Sequence, residues 1–349
     1  MKNCIRVWFL LLVTGMMLPP AAQADITLLR ILQSDGPVTV AAFSPDSRRL
    51  VVGVGELPEL SRIRQLLVWD VWTGKLVSAH RATHRITSVS ISPDGLTVAG
   101  ASGTNKIALW DMRTGSLERM LTCPGESVST VAYSPNGRLL ACAGENVVLW
   151  SIPSRRWVRA LHHPRTNLDL GPIAFAPDGK TLAAGYSLTV ADDAGSGEVL
   201  LWSTDSGRVR RRLRERTDTI TALAFRPDGK VLAVGLGAPM DAETDGSIRL
   251  RDVATGRPLR ALTARDGDYD LGTLCFSPDG TLLASGSSSD VYAERPMKGK
   301  VRVWDTRTGR QKALLHGHSD LVTAVVFSAD GTMIASGSDD GTVRLWRVH

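Results

Sequence analysis

Two runs of acidic residues are the first places in this 349-residue chain where side-chain type and spacing match a known chemistry. Asp241, Glu243 and Asp245 alternate and precede Gly246, the pattern of the first half of a calcium loop, and Asp266, Asp268 and Asp270 alternate in the same way. A calcium loop also needs a helix behind it and a bidentate glutamate at its far end. The distal ligand here would be Asp252, an aspartate in an extended segment, so both runs read as solvated acidic loops and no cofactor is expected. The histidines lack metal-ligand spacing, since His162 and His163 are adjacent and His316 and His318 share a junction between repeats. No Gly-x-Ser-x-Gly elbow joins a strand to a helix. Arginine is concentrated at 208, 210, 211, 212, 214 and 216, yet no aromatic residues interleave, so nucleic-acid stacking is unsupported. An outer strand blunted by charge against edge pairing is the simpler reading.

The elements that carry these residues repeat. Seven times between residues 43 and 332 a hydrophobic run leads into Ser-Pro-Asp-Gly or a variant, then a second hydrophobic run, then a tryptophan and a polar residue. The turns fall at Ser44-Pro45-Asp46, Ser92-Pro93-Asp94, Ser134-Pro135-Asn136, Ala176-Pro177-Asp178, Arg226-Pro227-Asp228, Ser277-Pro278-Asp279 and Ser328-Ala329-Asp330. Their partners are Trp69, Trp110, Trp150, Trp202, Arg251 at a degenerate fifth position, Trp304 and Trp346. Proline fixes φ at the second corner of a tight turn and glycine takes the positive φ that follows, so each phrase joins two strands. A third strand ends in the tryptophan. Thr73-Gly74, Thr114-Gly115, Ser206-Gly207, Thr255-Gly256 and Thr308-Gly309 then turn the chain into a fourth. Four strands in about 40 to 50 residues make one blade of a β-propeller.

The chain resembles the WD-repeat β-propeller family at Trp69-Asp70, Trp110-Asp111 and Trp304-Asp305, and at Gly317-His318 ahead of Ser336, Asp340 and Trp346. The resemblance covers the chain after residue 25 and implies an all-β, seven-bladed β-propeller of four-stranded antiparallel blades. It also implies a hydrogen-bonded tetrad of His318, Ser336, Asp340 and Trp346, complete only in blade seven. Blade six keeps Ser285 and Trp304, while Val52, Gly100, Cys142, Ala184 and Val234 replace the serine elsewhere. Blade seven lacks a fourth strand before the chain stops at His349, and residues 26–32 have strand character, so that N-terminal strand is expected to join the last blade and close the ring.

Residues 1–24 read as a signal peptide and 25–349 as the propeller. Lys2 and Arg6 supply the positive start, Val7 to Leu18 the apolar core and Ala22-Gln23-Ala24 the cleavage site, with cleavage expected after Ala24. The apolar run, ended by Pro19-Pro20, is short of the roughly 20 residues a membrane span needs, so no stable insertion of the mature chain is expected; an uncleaved anchor is the alternative. Removing Lys2 and Arg6 takes the formal charge from +6 to +4, mild for this size. The reading is a bacterial-type exported member, periplasmic or extracellular. Three cysteines then remain. Cys142 aligns with tetrad Ser336, and Cys123 lies one residue before the position aligned with His318. Two readings stay open for this pair: a disulfide in place of the histidine-serine bond, adding roughly 3 kcal/mol by closing a loop of about 20 residues, or two buried thiols packing as small apolar groups. Cys275, beside Phe276, reads as core.

In this fold the connections from fourth to first strand and from second to third share one face, called the top. The second-to-third connection swells at residues 55–63, 187–197, 237–246 and 287–299, in blades one, four, five and six, and the segments leading into blades four and six, 162–170 and 263–270, are long too. Loops longer than a fold requires are more often functional than structural. The expected function is therefore an exported, monomeric, non-enzymatic scaffold that binds a protein or peptide, and no nucleic acid, through the top of blades four to six. Asp268, Tyr269, Tyr292, Arg295 and Met297 are the candidate contacts. A hydrolase or lactonase with its site on the central channel is the alternative, because fold does not dictate chemistry. The phrase Asp70-Val71-Trp72-Thr73-Gly74-Lys75 also resembles the docking motif of quinone-cofactor propellers, but the tryptophan expected three residues after the lysine is Ser78.

Overall fold

The computed structural model describes residues 26–55, 64–125, 127–165, 168–188, 197–215, 219–237, 247–264, 268–289 and 298–349. All regular structure among them is β. The first strand is β1 (Ile26–Gln33). Blade one holds β2 (Val38–Phe43), β3 (Arg49–Val54), β4 (Gln65–Asp70) and β5 (Leu76–Arg81), and blade two β6 (Ser88–Ile91), β7 (Thr97–Ala101), β8 (Lys106–Asp111) and β9 (Leu117–Thr122). Blade three holds β10 (Val128–Tyr133), β11 (Leu139–Gly144), β12 (Val147–Ser151) and β13 (Arg156–Leu161), and blade four β14 (Leu168–Phe175), β15 (Thr181–Leu188), β16 (Glu198–Ser203) and β17 (Val209–Arg214). Blade five holds β18 (Ile220–Phe225), β19 (Val231–Leu236), β20 (Ser247–Asp252) and β21 (Pro258–Thr263), and blade six β22 (Asp268–Phe276), β23 (Leu282–Ser289), β24 (Lys300–Asp305) and β25 (Gln311–Leu315). Blade seven joins β26 (Val322–Phe327), β27 (Met333–Ser338) and β28 (Thr342–Val348) to β1.

The result is the expected seven-bladed propeller of antiparallel four-stranded sheets. β1 runs antiparallel to β28 from Ile26 opposite Val348 to Gln33 opposite Thr342, with a register shift between Leu28 and Arg30. Second and third strands are apolar on both faces, as in Val51 and Val52 or Leu200 and Leu201, because each blade is covered by a neighbour on either side. Outer strands bury little: of six residues in β9 only Leu121 is buried, and in β21 only Leu262.

The repeated turns explain the repeated residues. In blade two, Ser92 Oγ donates to Asp94 Oδ1 at 2.5 Å and accepts the Thr97 N–H at 2.9 Å, while Asp94 Oδ1 accepts the Leu96 N–H at 3.0 Å. Gly95 follows at φ 73°. Blade one has Ser47 at that corner, at φ 59°, and the hydroxyl that glycine lacks accepts the Asp330 N–H of blade seven at 3.1 Å. In the Trp-Asp pairs the aspartate closes the next turn: Asp305 Oδ1 accepts both the N–H (2.6 Å) and the hydroxyl (2.8 Å) of Thr308. Hydrogen bonds of this kind hold the Asp70, Asp111 and Asp252 carboxyls below the usual carboxylate range.

A second periodicity lies between blades. One register position on the outer strand is arginine in five blades: Arg30 (opposite Leu345), Arg119, Arg159, Arg211 and Arg260. Four of them reach the third-to-fourth turn of the following blade. Arg30 donates to Trp72 O (3.2 Å), Arg159 to Asp205 O (2.9 Å) and Ser206 O (3.0 Å), Arg211 to Thr255 O (2.9 Å), and Arg260 to Thr308 O (2.9 Å). Each stem lies over the turn glycine, Gly74, Gly207, Gly256 or Gly309, so a Cβ at those positions would collide with the arginine. Gly115 is covered by His80 instead. At the junction of blades two and three the glycine is replaced by Arg155, at φ 56°. Among the described residues Arg119 makes no such bond, and a cleft of about 370 Å³ opens among Leu109, Leu121, Tyr133, Trp150, Arg119 and Arg155. Blade six carries Ala313 in the arginine register, opposite Val303.

Inner strands add a further set of inter-blade bonds. Thr39 Oγ1 donates to Ile86 O at 2.6 Å, Thr87 to Ser129 O at 2.8 Å and Thr323 to Val38 O at 2.6 Å.

Candidate interaction face and the polar networks beneath it

The top of blades four and six is built differently from the rest. First and second strands have six residues in blades one, three, five and seven, whereas β14 and β15 have eight each, β22 nine and β23 eight. The added rungs pair Leu168 with Leu188 and Asp169 with Ser187 in blade four, and Asp268 with Ser289 and Asp270 with Ser288 in blade six. They lie at the top end, so two or three extra residues at about 3.3 Å each raise both ribbons by roughly 7 to 10 Å. The expectation of loops over 162–170, 187–197, 263–270 and 287–299 is corrected in part: Leu168–Leu170, Ser187–Leu188, Asp268–Asp270 and Ser287–Ser289 are strand, because pairing satisfies backbone groups that a loop would leave to water. Asp268 and Tyr269 are the first residues of β22. Tyr292, Arg295 and Met297 lie outside the described residues, as do Asp241, Glu243, Asp245 and Asp266. Among the described residues no group of three or more His, Cys, Asp or Glu side chains could hold a metal ion.

Beneath the top face, blades three to seven carry buried polar contacts that differ from blade to blade. In blade seven, His318 Nε2 lies 2.8 Å from Ser336 Oγ, which accepts the Trp346 indole N–H at 2.9 Å, and His318 Nδ1 lies 2.9 Å from Asp340 Oδ2. Burial lowers the His318 pKa, partly opposed by the Asp340 hydrogen bond and charge. Burial acts to raise Asp340, but hydrogen bonds from Thr342, His318 and the Ser319 N–H outweigh it and hold that carboxyl below its ordinary value. Blade six keeps the indole bond of that set, Trp304 Nε1 to Ser285 Oγ at 3.0 Å, and adds the buried Arg302, whose Nη1 donates to Ser287 Oγ at 3.3 Å.

Blades three, four and five have substitutes, of which the tetrad pattern points to the cysteine pair of blade three and not to the networks of blades four and five. Two residues beyond the buried outer-strand leucines Leu121, Leu161 and Leu213 stand Cys123, His163 and Glu215. His163 Nε2 meets Glu198 Oε1 at 2.7 Å, Arg212 Nε holds the other carboxylate oxygen at 3.1 Å, and the His163 and Tyr186 rings lie 4.5 Å apart. Burial pushes the Tyr186 phenol up. In blade five, Arg251 sits where the other blades have tryptophan, and its Nε donates to Glu215 Oε1 at 2.7 Å while Arg249 Nη1 donates to Oε2 at 2.6 Å. The Glu215 side chain has no exposure. A charged residue at an indole position is the sequence signal for that pair, since a buried guanidinium requires an acid. In blade three, Cys123 Sγ and Cys142 Sγ lie 2.9 Å apart, both buried.

The arginine run largely dissolves into this framework. Arg210 bonds Thr181 Oγ1, Arg211 clasps blade five and Arg212 pairs with Glu198. These are structural engagements rather than a free cationic stripe.

Five segments, 73–111, 115–151, 207–252, 256–305 and 309–347, match the family model described as WD domain, G-beta repeat. Among curated relatives, the chain is 26% identical over 298 residues to WD repeat-containing protein 18 of Danio rerio, covering 81% of this chain and 64% of that protein. It is 25% identical over 250 residues to the periodic tryptophan protein 2 homolog of Dictyostelium discoideum, covering 70% of this chain and 24% of that one. Against transducin beta-like protein 3 of Bos taurus, identity is 25% over 337 residues, 94% of this chain and 39% of the relative. The chain thus spans less than two thirds of the length of each of these eukaryotic relatives.

Proposed function

The chain belongs to the WD-repeat family, whose model matches more than half of it, and on that premise we propose that it is a non-enzymatic scaffold that binds a protein or peptide through the top of blades four to six. The observation that carries the reading is the pair of raised ribbons, β14–β15 and β22–β23, flanking blade five. Rigid paired strands cost less ordering entropy on binding than mobile loops of the same length. The networks Glu198–His163–Arg212 and Glu215–Arg249–Arg251 fix the strand ends below that face. Asp268, Tyr269, Tyr292, Arg295 and Met297 are the proposed contacts, and recognition is by shape and anchor residues without covalent chemistry.

The test is affinity capture with the full chain beside a variant whose residues 287–299 are replaced by a four-residue turn like Ser338–Gly341. Selective loss of a partner from the variant supports the face; identical recovery of every partner removes it. Export is the second part of the proposal and rests on the leader pattern of residues 1–24. N-terminal sequencing of the protein from its native source is expected to begin at Asp25, and an intact Met1 or Lys2 start would refute export by cleavage.

A further inference from the structure

We propose that Cys123 and Cys142 form a disulfide that ties the outer edge of blade two to the second strand of blade three. Three observations converge on this pair. The two sulfurs lie 2.9 Å apart with the residues 3% and 1% exposed, so they meet in a site closed to water. A disulfide needs about 2.05 Å, so the two sulfurs stand within about 1 Å of bonding distance. The second observation is position: Cys142 occupies the place of Ser336, opposite Val131 and Val148 as Ser336 is opposite Val325 and Arg344, so the sulfur pair stands where blade seven has its His318–Ser336 bond. The third is the junction. Cys123 directly follows β9, the outer strand of blade two, and this is the junction where Arg155 displaces the turn glycine and, among the described residues, Arg119 makes no clasp. A covalent tie therefore sits where the repeated inter-blade bond is missing.

The chemistry balances with a low-molecular-weight disulfide as oxidant. Cys123 is the leading thiolate: the hydrogen bond from the Cys142 thiol lowers its pKa against the cost of burial, aided by the Trp150 indole, and the same shared proton raises Cys142. The Cys123 thiolate attacks one sulfur of the oxidant and expels a thiolate, giving a mixed disulfide. Cys142 loses its proton, attacks Cys123 Sγ and expels the second thiolate. Two protein thiols are oxidised and one external disulfide is reduced to two thiols. Burial confines the reaction to folding or to transient opening of blade three. Cys275 takes no part, since its sulfur accepts the Phe327 N–H at 3.4 Å across another junction. The inference depends neither on the proposed face nor on the leader.

Refolding the full chain from urea with oxidised glutathione, alkylating in denaturant and digesting with trypsin without reduction tests it. Trypsin cuts after Arg119, Arg138 and Arg155, so the expected product is peptide 120–138 joined to 139–155, split by reductant, while Cys275 carries the alkyl label. Reducing the native protein is expected to lower its melting midpoint by about 4 °C, and a Cys142→Ser variant should show no such response. Strand structure recovered by circular dichroism with both peptides fully alkylated would overturn the proposal.

Discussion

Blade five offers a clean test of how a propeller blade survives the loss of its tryptophan. Glu215 has no exposed side-chain surface and is held by Arg251, 10% exposed, and by Arg249, 32% exposed. Glu215→Ala leaves one guanidinium unpaired in the interior. Removing one member of a buried pair costs about 3 to 5 kcal/mol, and because Arg249 is partly solvated the lower figure applies, about 3 kcal/mol. With an unfolding entropy of about 2.1 cal/mol/K per residue over this ring, that lowers the melting midpoint by about 4 °C. Arg251→Trp alone is also destabilising, because Glu215 then keeps only the more solvated arginine. The double variant Glu215→Ala with Arg251→Trp removes the buried charges together and installs the residue six other blades carry at that position, so it should lie within about 1 kcal/mol of the wild type. Urea denaturation of the four proteins measures this. If the double variant loses the sum of the two single losses, the residues act independently and the account of blade five is wrong.

Other expectations follow from the same geometry. Because burial lowers the His318 pKa in the folded state, the unfolded chain binds more protons below the ordinary value of 6.5, so stability falls as pH drops through that value. His318→Gln should flatten stability between pH 7 and 5 relative to wild type, and an unchanged slope would show that another group governs it. Arg30→Ala, which removes the bond to Trp72 O and the cover over Gly74, should cost about 1 kcal/mol. Gly74→Ala should cost more, since φ is +69° and the new Cβ meets Arg30; comparing melting midpoints of the two variants decides the order. The Tyr133 phenol, pushed up to about 12 by burial and by the charges of Asp94 and Glu118, should titrate late in ultraviolet absorbance, and Tyr133→Phe should remove that step.

The ring was legible because its signals are local and repeated. Pro-Asp-Gly demands a turn wherever it stands, and seven copies at a blade's spacing leave one architecture, with residues 26–32 placed correctly beside β28. The polar networks were less legible, because they join residues far apart in sequence whose types change from blade to blade. His163 and Glu198 are 35 residues apart and resemble no motif. The long loops were recognised as long but not as ribbons: Asp268–Asp270 and Ser287–Ser289 have weak strand propensity, and cross-strand pairing outweighs it. The arginine clasps were hidden within an outer strand read only as charged, since their acceptors are backbone carbonyls that no side-chain pattern announces.

Those clasps also give the ring a grain. Each runs in one rotational sense, from the outer strand of one blade to the turn of the next, and together they fasten blades three, four, five and six in series and blade seven to blade one. Among the described residues the outer edges between blades one and two, two and three, and six and seven carry no such arginine bond, which divides a nominally sevenfold object into an arc of four blades, a pair and blade two by itself. A load on the raised ribbons of blades four and six would thus be shared within the longer arc and relieved at its two seams. Hydrogen exchange should register the seams as the first places to breathe, with the outer strands β9 and β25 opening ahead of β17 and β21.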